Sequence, residues 1–149
     1  MSLLIRKGAA HDIDTLVAFN QAMAQETENK SLNETVLQKG VSQLIATPSM
    51  GFYLLAEQNN RIAGSLMVTE EWSDWRAARF WWIQSVYVAP QFRRQGIYSK
   101  LYREVQQLAE EQGDVCGLRL YVEKENTTAQ KTYQALGMEE NQYLMYETK

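Results

Sequence analysis

Val86-Tyr87-Val88-Ala89-Pro90-Gln91-Phe92-Arg93-Arg94-Gln95-Gly96-Ile97-Tyr98-Ser99 reads as the end of a strand, a turn, a basic loop and the start of a helix. Upstream, Trp81-Trp82-Ile83-Gln84-Ser85 supplies the aromatic and β-branched side chains that suit a buried, pleated strand. Pro90 stops that strand, having no N–H to give a ladder. From Ile97 the period changes, and Ile97, Leu101, Val105, Leu108 and Ala109 fall on one helical face. Arg93 to Gly96 therefore sit at a helix N-terminus.

A helix start offers unpaired N–H groups and a partial positive charge, so a basic, glycine-containing turn leading into one is suited to seat phosphate. Gly96 lets the backbone come close to a bulky anion, and Arg93 and Arg94 add donors matched to phosphate oxygens. The same residues also read as an ordinary strand–helix junction with solvated arginines, and on this stretch alone the two readings stand level.

Arg93-Arg94-Gln95-Gly96-Ile97-Tyr98 resembles the acyl-CoA-binding signature of the GNAT superfamily of N-acetyltransferases. That signature runs Gln or Arg, two variable residues, Gly, one variable residue, then Gly or Ala. Tyr98 departs from it at the last position. A second stretch, Asn126-Thr127-Thr128-Ala129-Gln130-Lys131-Thr132-Tyr133-Gln134-Ala135-Leu136-Gly137-Met138, resembles a later segment of the same family, where an Asn opens a helix and a Tyr follows about two turns on. Local physics agrees: Asn126 is a good N-cap, Gly137 a good C-terminal stop, and Ala129, Tyr133 and Leu136 share a face. Two motifs in this order are more specific than either alone.

The bulk properties bound what else the chain does. Its 149 residues, 45% of them hydrophobic, suffice for one domain with a substantial core. A net charge of -3 argues against general nucleic-acid binding. Cys116 is the only cysteine and His11 the only histidine, so an intrachain disulfide is impossible and no Cys or His metal cluster is expected. The N-terminal Met1-Ser2-Leu3-Leu4-Ile5-Arg6-Lys7 lacks a leader-like apolar core, and no apolar run approaches membrane-spanning length. A cytoplasmic protein that engages no membrane is the expectation.

In chain order, Leu3–Lys7 reads as a strand, and Asp12 as the cap of a helix whose inner side is Ile13, Leu16, Val17 and Met23. Gln25–Lys30 reads as a polar connection. Ser31-Leu32-Asn33-Glu34 reads as a capping box opening a helix with Val36, Leu37, Val41, Leu44 and Ile45 inward. Gly51–Glu57 and Ile62–Val68 form a hairpin about Asn59-Asn60, with Gly64 marking a bulge or close backbone neighbour. Thr69–Arg79 reads as a polar loop whose Trp72 and Trp75 should pack against something. Gly113 ends the third helix, Leu118–Val122 is a parallel strand, and Tyr143–Glu147 a final strand.

This order matches the GNAT fold, a mixed α/β architecture whose central sheet splays between its fourth and fifth strands and is flanked by four helices. The resemblance implies that the backbone of Val86 and Val88 pairs with the pantetheine arm of acetyl-CoA in that gap, with Tyr87 among the cofactor-binding residues, and that Arg93, Arg94, Gln95, Gly96, Ile97, Tyr98 and Ser99 hold the pyrophosphate. It also implies direct attack of a primary amine, on a small molecule, a lysine or an N-terminus, at the thioester. Tyr133 would then protonate the CoA thiolate, and Asn126, which opens its helix, and Tyr133 would both bind the cofactor.

Glu26 and Glu28 read as a solvated turn or, given the resemblance, as an acidic wall for a cationic acceptor. Trp72, Asp74 and Gln84 are further acceptor candidates. Glu70, Glu71, Asp74 and Glu123 are the nearby carboxylates, none singled out as the base, and a water relay serves as well. A non-catalytic acyl-CoA sensor is the other function the motifs allow, and a homodimer is common among proteins of this kind.

Overall fold

Asn59 and Asn60 both take left-handed backbone angles, φ 54° and 61°, the pair of positive values a tight hairpin requires and asparagine tolerates. In order, the elements are β1 (Leu3–Lys7), α1 (Ile13–Glu28), α2 (Glu34–Ala46), β2 (Gly51–Gln58), β3 (Arg61–Ser73), β4 (Ala78–Val88), α3 (Ile97–Gln112), β5 (Val115–Arg119) and α4 (Thr127–Ala135). Short 3₁₀ turns occupy Ala10–Asp12 and Pro90–Phe92. The computed structural model describes residues 2–149, and Met1, part of the N-terminal segment read above, lies outside them.

The five strands make one sheet in the order β1-β2-β3-β4-β5. Pairing is antiparallel up to β4, and β4–β5 is parallel, as a whole intervening helix demands. The fold is thus the expected mixed α/β class with four helices. Adjacent residues on one strand feed opposite faces: Leu54 joins the core under α3 with Leu66, Trp81, Leu101 and Val105, while Leu55 joins the core under α1 and α2 with Leu16, Val17, Val41 and Leu44.

Gly64 explains how α3 starts so close to the sheet. A Cβ there would lie 2.9 Å from the Tyr87 carbonyl oxygen and 3.2 Å from Ile97 Cγ2. The bulge expected nearby is present too, with the register shifting between Ala56 and Glu57 opposite Gly64 and Ile62.

Asp12 stands at the N-cap position of α1 as expected, but its side chain makes no capping hydrogen bond and does a different job. Its carboxylate, 3% exposed, accepts two hydrogen bonds from Arg6, at 2.8 and 2.9 Å, and one from the Ala9 N–H at 2.8 Å. Those bonds, the arginine first, hold its pKa below the ordinary Asp value. Asp12→Ala leaves the Arg6 charge half-paired and is expected to destabilise the fold by about 3 kcal/mol, measured by chemical denaturation. Because the folded pKa is depressed, the wild-type contribution is complete above the unfolded value of ~3.9 and is lost as pH falls through the folded one. A stability difference between wild type and variant that persists unchanged at pH 2 would contradict this.

Other differences have local causes. Asn33, two residues past Ser31, is the true cap of α2, accepting from the Val36 N–H at 3.0 Å. Val36 is consequently exposed in the first turn. α1 continues through the expected polar connection to Glu28 and ends on left-handed Asn29. β3 continues to Ser73, past the expected loop start, because Thr69–Ser73 pairs with Ala78–Trp82. Only Asp74–Ala77 remain as the tip, where Trp75 is 91% exposed, contrary to expectation, with Trp72 also exposed. β5 stops at Arg119 instead of Val122 because its partner strand diverges after Trp82. The final strand at Tyr143–Glu147 is not formed, and Tyr143, Leu144, Met145 and Tyr146 are exposed. Strand propensity describes a fit to a sheet surface, and that segment has no ladder to fit.

Candidate active site

The site begins where β4 and β5 part. Their pairing runs only from Arg79↔Val115 to Trp82↔Arg119, so Ile83 to Val88 continue with no β5 neighbour. A bulge then turns the strand: Ser65 faces Tyr87 and Met67 faces Gln84, leaving Leu66 opposite both Ser85 and Val86. Ser85 accommodates it with φ 51°. The expected splay between the fourth and fifth strands is therefore present, with Val86, Tyr87 and Val88 on its open edge.

The loop that follows is pinned at both ends and bare between. Phe92 and Ile97 are buried in the α3 core, whereas Arg93, Arg94, Gln95 and Gly96 are exposed. Arg94 and Gly96 both have positive φ, 64° and 75°, a curled backbone of the kind that makes anion-binding concavities. Gly96 is the N-cap of α3, so the N–H groups of Ile97, Tyr98 and Ser99 belong to the first turn that lacks internal acceptors. A Cβ on Gly96 would meet nothing within 4 Å, which leaves an open cradle over those donors. These residues fit a phosphate ligand.

Across the gap, Asn126 caps α4 by accepting from the Ala129 N–H at 3.1 Å, and Gln130 Nε2 donates back to the Glu123 and Lys124 carbonyls at 3.1 and 2.9 Å. That cap fixes the helix that carries Tyr133. The Tyr133 ring meets Tyr98 edge-on, with centroids 5.7 Å apart, and burial pushes its phenol pKa up. Tyr98 lies between Tyr133 and Tyr102. Its hydroxyl is buried with no hydrogen-bond partner, and burial, then the two neighbouring phenols, raise its pKa strongly. The residue that departs from the signature's small position is thus the one that joins the phosphate loop to Tyr133.

The acceptor candidates do not come together. Glu26 stands beside the loop, accepting from Tyr87 Oη at 2.6 Å and from Arg93 Nη2 at 2.7 Å. Glu28 pairs instead with Lys30 at 3.3 Å. Gln84 donates to Thr69 Oγ1 at 2.6 Å. Trp72 and Asp74 line a separate concavity of about 330 Å³ with Phe80 and Arg119 at the hairpin tip. The tip lies at the far end of β4 from Val88, and at ~3.3 Å per residue it is some 30 Å from the loop.

Two of the nearby carboxylates, Glu70 and Glu71, are committed as well. Glu70 accepts from Arg79 and from the Trp81 indole, at 2.9 and 3.2 Å, and Glu71 from the Trp82 indole and Arg119, at 2.8 and 3.2 Å. Sequence reasoning missed the ties from Arg93 and Tyr87 to Glu26, which span more than sixty residues and leave no spacing signal. It also missed Arg119 over the Phe80 ring, at 3.5 Å. The identity of Tyr98, a large ring where the signature wants a small residue, was the signal available for its contact with Tyr133.

Among the described residues no group of three or more His, Cys, Asp or Glu is placed to hold a metal ion, and no helix is long and apolar enough to cross a membrane. No curated protein matches the chain. Among solved structures, it is similar to a possible acetyltransferase from Clostridium difficile 630, at 41% identity and TM-score 0.94, over 100% of this chain and 98% of the other. A predicted acetyltransferase with acetyl-CoA from Clostridium acetobutylicum matches at 18% identity and TM-score 0.80, covering 99% and 96%. Glucosamine-6-phosphate N-acetyltransferase from Arabidopsis thaliana matches at 18% and 0.74, covering 99% of each chain. The last two share the fold. The family model for the acetyltransferase (GNAT) family matches residues 15–138, a span that takes in the sheet from β2 to β5, the split, the Gly96 loop and α4. By that match and by its likeness to the Clostridium difficile protein, the chain belongs to the GNAT family of acetyltransferases.

Proposed function

We propose that this protein transfers the acetyl group of acetyl-CoA to a primary amine by direct attack with both substrates bound. One observation carries the reading: the open edge of β4 leads directly into an exposed, left-handed Gly96 turn at the start of α3, with Tyr133 in ring contact with that turn through Tyr98. Backbone groups of Val86 and Val88, on either side of Tyr87, which pairs with Ser65 of β3, would take an extended ligand as an added strand. The first-turn N–H groups of α3, with Arg94, would hold its diphosphate.

Acetyl-CoA supplies an activated thioester carbonyl and a thiolate leaving group. The chain's part is orientation and proton handling. The amine must lose one proton before its nitrogen bonds the carbonyl carbon and a second from nitrogen as the tetrahedral adduct collapses to the amide. Glu70 and Glu71 are held by arginine and indole donors, which leaves both protons to a water relay or to Glu123. As the carbon–sulfur bond breaks, Tyr133 Oη donates its proton toward sulfur and is recharged from solvent. A small-molecule, lysine or N-terminal amine fits this chemistry. The same reading has the chain working as a single cytoplasmic domain, alone or as a homodimer.

The commitment of Glu70 and Glu71 favours one other reading, an acyl-CoA sensor that binds without turnover. A thiol-release assay with acetyl-CoA and a panel of primary amines separates them. Amine-dependent release of CoA, with the acetylated amine seen by mass spectrometry, is the expected result. Binding of acetyl-CoA with no release for any amine would favour the sensor.

A further inference from the structure

Arg93, expected to face phosphate, is turned the other way. Its Nη2 donates to Glu26 Oε1 at 2.7 Å, its Nε donates to the Val88 carbonyl at 2.9 Å, and its guanidinium lies 5.4 Å from the centroid of the Tyr87 ring. Tyr87 Oη donates to the second Glu26 oxygen at 2.6 Å. The last turn of α1, the end of β4 and the loop before α3 are thereby tied together at one carboxylate. Hydrogen bonds from Tyr87 and then Arg93 hold the Glu26 pKa below the ordinary carboxylate range, so the group carries a full negative charge that Arg93 neutralises.

Two of these contacts conflict with the proposed function, on which this inference rests. The Val88 carbonyl lies on the edge that would pair with pantetheine, and the guanidinium is held away from the diphosphate seat one residue along the chain. A diphosphate, like a carboxylate, offers paired oxygens for bidentate hydrogen bonding to a guanidinium, and it carries more charge. The Arg93 and Glu26 side chains are 43% and 40% exposed, so their pairing is solvent-screened and exchanging the partner costs little.

We propose that Glu26 is a gated specificity residue: Arg93 masks it in the free protein, and capture of Arg93 by the CoA diphosphate releases its charge to select a cationic amine. Tyr87 stays with Glu26 through the exchange and keeps the carboxylate aimed. Once unmasked, the carboxylate is an uncompensated negative charge on the α1 side of the open edge, and an ammonium group is its natural partner. Cofactor and cationic acceptor then favour each other's binding by the same factor, because each stabilises the state in which Arg93 has left Glu26. An uncharged or acidic acceptor gains nothing from the exchange.

A double-mutant cycle tests this with CoA as the probe. Wild type, Glu26→Gln, Arg93→Ala and the double variant are titrated calorimetrically, with melting temperatures confirming that each is folded. Glu26→Gln removes the competitor for Arg93 and is expected to bind CoA about two- to fivefold tighter, the range an exposed ion pair commands. That gain should vanish in the Arg93→Ala background. A gain that survives without Arg93 would mean Glu26 acts only through its long-range field, and no gain at all would mean it does not compete; either removes the gate and leaves the acetyltransferase reading intact. Absence of CoA binding in all four proteins, wild type included, removes the cofactor reading and the gate together.

Discussion

Tyr133→Phe is expected to lower kcat about 100-fold while leaving acetyl-CoA affinity within about twofold of wild type, in a thiol-release assay under conditions where chemistry limits. The size follows from the usual contribution of a placed general acid, and a factor of 100 corresponds to about 2.7 kcal/mol of transition-state stabilisation. The phenol is suited to the task because burial raises its pKa above the ordinary tyrosine value of ~10. It stays protonated throughout the neutral range and hands over its proton only when negative charge develops on sulfur. For the same reason the wild-type kcat profile should show no downturn from this group below about pH 10, since a raised pKa keeps the donor form present up to that value. Phenylalanine preserves the edge-on contact with Tyr98, so α4 should hold its position and the loss should fall on kcat. Unchanged turnover with chemistry limiting would take the role from Tyr133.

Gly96→Val is expected to weaken acetyl-CoA binding at least about tenfold, by two separable causes. The backbone at Gly96 has φ 75°, a region that costs an L-residue roughly 1–2 kcal/mol and suits a β-branched one least. That strain alone should lower the melting temperature by about 2–8 °C. The added side chain also enters the open cradle above the first turn of α3, where nothing of the protein lies within 4 Å. Gly96→Asn tolerates the left-handed angle but fills the cradle. Weak binding in both variants, with a lowered melting temperature only for valine, identifies crowding of the ligand. Full affinity in the asparagine variant would mean that the diphosphate does not sit over Gly96.

What the sequence disclosed is what neighbours along the chain decide. Trp81–Val88 could be read as a strand, Gly96 as the turn into a helix, and Ile97 to Ala109 as an amphipathic face, because each depends on residues a few positions apart. Asn126 and Gly137 bounded α4 for the same reason, and Asn59-Asn60 the hairpin. The failures are tertiary. Leu118–Val122 has the right composition for a strand throughout, yet it pairs only as far as Arg119, because the bulge at Ser85 and Val86 and the divergence of β4 remove its partner. Tyr143–Glu147 is rich in aromatic and apolar residues, and Tyr143, Leu144, Met145 and Tyr146 still lie exposed. Asp12 had the identity of a helix cap, but Arg6 stands close enough to claim it.

In the candidate site the same division holds. The loop and the capped helix were legible as motifs, whereas Trp72 and Asp74, credible acceptor contacts by composition, lie beside the end of eleven-residue β4 opposite to the loop. The tie from Arg93 to Glu26 brings together charges 67 positions apart, and nothing in local patterning announces it.

Calorimetric titration of the protein with acetyl-CoA, with desulfo-CoA and adenosine as controls, tests the central claim most directly. The account predicts saturable one-to-one binding of acetyl-CoA and desulfo-CoA, and none of comparable strength for adenosine, because the split sheet and the Gly96 turn recognise the pantetheine arm and the diphosphate. Absence of acetyl-CoA binding across the accessible concentration range, or equal affinity for adenosine, would contradict it.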